Sequence, residues 1–112
     1  MSVLMTFRAT GDPAKLEASA AEQPQLMQSL AEDAKRHGVI SHRFYGTADG
    51  DIMVLDEWES EDGFERFFAA HPEIKDLMAD VGVTEAPELK FWRKLETYDE
   101  ISPHASAAGT TG

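Results

Sequence analysis

The order of elements legible in the sequence, β-α-β-β-α-β, predicts one ferredoxin-like α+β domain with a four-stranded antiparallel sheet. Two such sheets are expected to pair as a dimeric α/β barrel. Three observations carry this reading. Four segments alternate with period two, two segments carry apolar residues at helical spacing, and the strands are apolar on both faces. Two right-handed crossovers place both helical regions on one face of the sheet. The opposite face then exposes Leu4, Leu55 and Trp92, an apolar surface that a second copy would cover through a twofold axis.

The first strand is Val3 to Ala9, with Val3, Met5 and Phe7 on one face. Asp12 is placed to cap a helix whose first position is Pro13. This helical region runs to Arg36 or His37, with Gly38 as its terminating residue. Pro24 breaks it near Glu22-Gln23, because an interior proline clashes with the preceding turn. Met27, Leu30, Ala31 and Ala34 form the apolar stripe of the second segment.

The second strand, Val39 to Thr47, sets Ile40, His42 and Phe44 against Ser41, Arg43 and Tyr45. Ala48-Asp49-Gly50-Asp51 reads as a hairpin turn. The third strand, Ile52 to Glu59, places Val54, Asp56 and Trp58 on one face. Ser60 caps the next helix, and Glu61 and Asp62 in its first turn favour the helix dipole. Phe64, Phe67, Phe68 and His71 follow at i, i+3, i+4 and i+7. Pro72 breaks this helix, Ile74, Leu77, Met78 and Val81 form a new stripe, and Gly82 ends it. The last strand is read from Glu88 to Thr97. The domain thus covers residues 1–98, and the Ser-, Ala- and Gly-rich tail 99–112 is expected to be disordered.

The 112-residue length suits one domain of modest core, for which dimerisation adds burial. With 21 acidic and 10 basic residues the formal charge is −11, which repels nucleic acid and anionic membranes. Cysteine is absent, so no disulfide, thiolate nucleophile or cysteine-based metal site can form. The first residues lack a signal-peptide pattern, and no apolar run approaches the roughly 20 residues of a membrane span. A cytoplasmic protein is expected.

Asp56-Glu57-Trp58-Glu59-Ser60-Glu61-Asp62-Gly63-Phe64 resembles the acidic–Trp–acidic stretch of the antibiotic biosynthesis monooxygenase-like proteins, which closes strand three and opens helix two. The segments from His37 to Gly46 and from Phe91 to Glu96 resemble a bacterial branch of that superfamily without an assigned reaction. The resemblance follows element order over about residues 2 to 98 and is close around residues 52 to 71. It implies the dimeric α/β barrel fold and a site in the cleft between helices and sheet. It also implies the activities found in the family: cofactor-independent oxygenation of aromatic compounds, haem degradation or isomerisation.

The haem-degrading branch places an Asn on strand one, a Trp on helix two and a His about two turns later. Strand one here has no Asn, the Trp position is Phe67, and the His position falls near Asp76 or Leu77. Haem-degrading chemistry is therefore not expected, and the reading carried forward is of a protein without a bound cofactor.

His42 and His71 are the candidate bases, since a histidine titrating near neutrality suits removal of a phenolic proton. Tyr45, Trp58, Phe67 and Phe68 are the candidate substrate-binding residues. Each has a structural alternative. His42 can be a hydrogen-bonded residue at a sheet face, His71 can cap the segment that opens at Pro72, and the aromatics can be core. Asp56 is read as a structural ion pair with Arg43 or Arg93. The spacing of His42, Asp56 and His71 matches no metal-ligand pattern. Two functions follow: a cofactor-independent monooxygenase acting on a small aromatic substrate, or a non-catalytic ligand-binding module on the same homodimeric scaffold.

Overall fold

A computed structural model of the chain describes residues 2–103. Eight elements follow one another: β1 (Val3–Thr10), α1 (Pro13–Glu22), α2 (Pro24–Arg36), β2 (Val39–Gly46), β3 (Asp51–Trp58), α3 (Glu61–Ala70), α4 (Glu73–Asp80) and β4 (Glu88–Trp92). The sheet is wholly antiparallel in the order β2-β3-β1-β4, with both helix pairs packed on one face.

Local chemistry sets the element ends. The Asp12 carboxylate accepts from the backbone N–H groups of Ala14 and Lys15, and the Ser60 hydroxyl accepts from Gly63 N–H. Pro24 and Pro72 divide each helical region into two short helices. Gly38 ends α2 in the left-handed region at φ 104°.

The main core joins Met5, Phe7, Val54 and Trp58 of the sheet to Phe64 and Phe67 of α3 and Met78 of α4. A smaller cluster of Leu16, Ile52 and Val81 sits beside it. Trp58 is fully buried, with Phe64 edge-on at 5.5 Å between ring centroids. Truncating an aromatic in such a core costs about 3–5 kcal/mol, whereas a lost helix cap costs about 1 kcal/mol. Aromatic packing therefore decides how α3 lies on the sheet.

Two expectations change. First, β4 ends at Trp92 rather than Thr97. Leu4 opposite Trp92 is the last pair, and this register sets Arg93 against Val3, the first residue of β1, so residues beyond Arg93 have no strand to join. Second, β2 does not alternate regularly. Val39 pairs with Trp58 while Ser41 pairs with Glu57, leaving Ile40 as a bulge. Val39 thereby joins His42 and Phe44 on the core face, and Ile40 is 53% exposed. Most of the tail expected to be disordered, residues 104–112, lies outside the described residues.

The outer sheet face carries Leu4, Leu55 and Trp92, as expected, and leaves Leu4 41% and Trp92 47% exposed in the single chain. Among the described residues, no helix is long and apolar enough to cross a membrane.

Among the described glycines, Gly63 sits against the nearest neighbour. A Cβ there would run into the backbone carbonyl oxygen of His37, at the turn between α2 and β2. Gly63→Ala should therefore lower stability by about 1–3 kcal/mol, measured by urea unfolding. At an unhindered helical position the same change stabilises by about 0.5–1 kcal/mol, so the sign of the result tests the packing.

Candidate functional site

Between the helices and the sheet lies a cleft of about 470 Å³. That volume falls within the range of about 300–1,000 Å³ typical of small-molecule sites. Its wall is mostly apolar. Phe64, Phe67 and Phe68 of α3 form one side, Leu30 and Ala34 of α2 another, and Met5 and Trp58 the floor. Phe64 and Phe68 stack with centroids 5.6 Å apart, and Phe67 tilts against Trp58 at 5.7 Å.

Besides Lys35 and Ser41, the polar groups of this wall form one chain of contacts. Asp56 is buried on β3, its side chain only 5% exposed. One carboxylate oxygen lies 2.7 Å from His42 Nδ1 on the neighbouring strand β2. The other accepts from Trp58 Nε1–H at 3.0 Å. A carboxylate oxygen only accepts, so Nδ1 of His42 is the donor to Asp56, and in the neutral imidazole this tautomer leaves the lone pair on Nε2. The His42 side chain is 41% exposed and lines the cleft, and no hydrogen bond among the described residues engages Nε2. The register explains the meeting: His42 stands opposite Asp56, and Trp58 is two residues further along the same face of β3.

The expected pairing of Asp56 with Arg43 or Arg93 is not what forms. Arg43 stands opposite Leu55 and so belongs to the outer face, and Arg93 lies beyond the end of β4. Trp58, Phe67, Phe68 and His42 all line the cleft. Tyr45 does not: it pairs with Met53 on the other face of β2.

His71 lies outside the cleft wall, with its ring 4.8 Å from that of Phe67. Its Nδ1 is 2.9 Å from Glu73 Oε2 and its Nε2 is 2.6 Å from Asp33 Oδ2. Two acceptors require two N–H donors, which only the imidazolium supplies. The hydrogen bonds to Glu73 and Asp33 hold the His71 pKa above its ordinary value of 6.5 against the opposing effect of burial. The hydrogen bond from His71 in turn lowers both the Asp33 and the Glu73 carboxyl. His71 thus ties α2 to α4 as a charged clamp, and its side chain does not cap the α4 backbone. Among the described residues, no group of three or more His, Cys, Asp or Glu side chains is arranged to hold a metal.

Sequence reasoning missed the pairing of Asp56 with His42 and Trp58 and the Asp33 and Glu73 partners of His71. The first had a visible signal, a carboxylate alternating with apolar residues opposite a histidine. Asp33 had none, since it is 38 positions from His71.

The clamp makes a pH prediction. The raised His71 value contributes stability that is complete below 6.5 and is lost as pH rises through the higher folded-state value. The lowered carboxylates contribute stability that is complete above their ordinary values of 3.8 and 4.5 and is lost as pH falls through the folded-state values. The difference in Tm between wild type and His71→Ala should therefore be largest near pH 5–6 and shrink towards pH 9. A pH-independent difference would show that the clamp acts by packing alone.

No family model and no curated protein matches the chain. Solved structures do. The cofactor-independent oxygenase SnoaB from Streptomyces nogalater is 20% identical, with TM-score 0.58 over 88% of this chain and 98% of its own. The monooxygenase ActVA-Orf6 of Streptomyces coelicolor, solved with the ligand nanaomycin D, is 19% identical, with TM-score 0.62 over 91% of both chains. A dimeric ferredoxin-like protein from an uncultured marine organism is 12% identical, with TM-score 0.62 over 85% of this chain and 89% of its own. The four-stranded sheet, the paired helices on one face and these likenesses together give the chain the fold of the antibiotic biosynthesis monooxygenase-like proteins.

Proposed function

We propose that this protein is a cofactor-independent oxygenase acting on a small aromatic substrate in the helix–sheet cleft. The observation that carries the reading is the His42–Asp56 pair at 2.7 Å on a largely apolar wall. Asp56 fixes the tautomer and steadies the imidazolium formed when Nε2 takes a proton, as a carboxylate does behind any histidine base. Trp58 holds Asp56 in place through its other oxygen. Phe67 and Phe68 supply ring-stacking surface for the substrate. The base is assigned to His42 because both nitrogens of His71 are engaged by carboxylates.

The chemistry balances without a cofactor. Nε2 of His42 takes a proton from a ring CH₂ activated by neighbouring phenol and carbonyl groups. The carbanion passes electrons to O₂ and a carbon–oxygen bond forms. The resulting peroxide accepts the proton back and eliminates water, leaving a carbonyl. Overall the CH₂ and O₂ become C=O and H₂O, with all four electrons drawn from the substrate. The cleft's apolar wall favours this route, because dry surroundings slow competing protonation of the carbanion.

An anthrone is the simplest compound with such a CH₂, and oxygen uptake with 1,8-dihydroxyanthrone is the direct assay. A general base contributes about 10²–10⁴-fold, so His42→Gln should lower kcat by at least about a hundredfold with little change in KM. Uptake equal to wild type in that variant would exclude His42 as the base.

The active assembly is inferred to be a homodimer joined through the outer sheet face, where Leu4, Leu55 and Trp92 lie together. The dimeric description of one structural neighbour supports it. Light scattering at micromolar concentration should give twice the chain mass. The double variant Leu4→Glu/Leu55→Glu should give the chain mass, and a wild-type monomer would refute the assembly.

A further inference from the structure

A second cavity of about 370 Å³ lies beside α1 and the end of β2, and it shares two wall residues with the cleft. Met27 of α2 and Phe44 of β2 line both spaces. Phe44 also packs against both core clusters and meets the His42 ring edge-on at 5.1 Å between centroids. Both side chains are half-buried. Met27 is unbranched and rotates readily, so it is suited to a passage that opens to what enters it.

The lining of the second cavity defines what it takes. Leu16, Ala20 and Ile52 are apolar, and the end of β2 with Thr47 closes the remaining side. Glu17 is the only charged residue in this wall, which has no cation to hold an anion. We propose that this cavity is a subsite for a neutral, apolar extension of a ligand whose reacting ring lies beside His42, with Met27 and Phe44 setting the width of the passage. The proposal rests on the reading of the cleft as the substrate site.

The test is competitive displacement of a neutral fluorescent probe, N-phenyl-1-naphthylamine, from the intact protein by 2-naphthol and by 6-hexyl-2-naphthol. The added methylenes should make the hexyl compound bind at least about tenfold more tightly. Ala20→Phe fills the second cavity, and Ala20→Leu is a smaller change at the same half-buried position. Each should reduce the affinity ratio to within about twofold. A wild-type ratio near one, no displacement by the hexyl compound, or a ratio unchanged in Ala20 variants that melt like the wild type would overturn the subsite. Because the readout is binding, a protein that shows the ratio but consumes no O₂ keeps the subsite and removes only the oxygenase reading.

Discussion

A carboxylate taken out of water must be matched at both oxygens, and Asp56 is the place where this fold meets that demand. Leaving such a charge unpaired costs several kcal/mol, far more than a surface ion pair returns. The side chain therefore constrains its neighbours. It keeps His42 on the inner face of an edge strand and orients the Trp58 indole, on which Phe64 and Phe67 of α3 then pack. The polar anchor and the aromatic core are thus one construction. The ion pairs on the surface, such as Arg66 with Asp62, are exposed on both sides and order nothing of comparable extent.

Much of the fold could be read from the chain because it is written in local chemistry. Asp12, Ser60, Pro24 and Pro72 act within one turn of themselves, so their effects on the helices were visible without knowledge of the tertiary structure. The aromatic run from Phe64 to Phe68 likewise announced its own face. The departures all come from relations between distant segments. The end of β4 depends on where β1 starts. The bulge at Ile40 depends on how β2 sits against β3. Asp56 finds His42 and Trp58 rather than an arginine because cross-strand register, not charge, decides which side chains share a face. His71 was picked out correctly as an unusual position, but its partners lie on α2 and α4, and no spacing rule joins residue 33 to residue 71.

The cleft and the clamp divide the two histidines by environment. Among the described residues, His42 has one carboxylate neighbour and one nitrogen without a partner, and both nitrogens of His71 meet carboxylates. A histidine with a single acceptor can exchange a proton and return to its starting state. One held between two acceptors stays charged to higher pH and serves as a tie. Phe67 stands between them, with one face on the cleft and its ring against His71, so the clamp also fixes part of the aromatic wall.

The bulge at Ile40 has a meaning for the molecule's behaviour in a crowded solution. Both margins of the sheet carry free peptide groups, the usual starting points for end-to-end strand addition and fibre growth. On β2 the extra residue interrupts the run of outward-pointing donors and acceptors within two residues of the strand's start. On β4 the run is only five residues long and includes Glu88 and Lys90. Neither border offers a long flat template, so the sheet resists open-ended polymerisation.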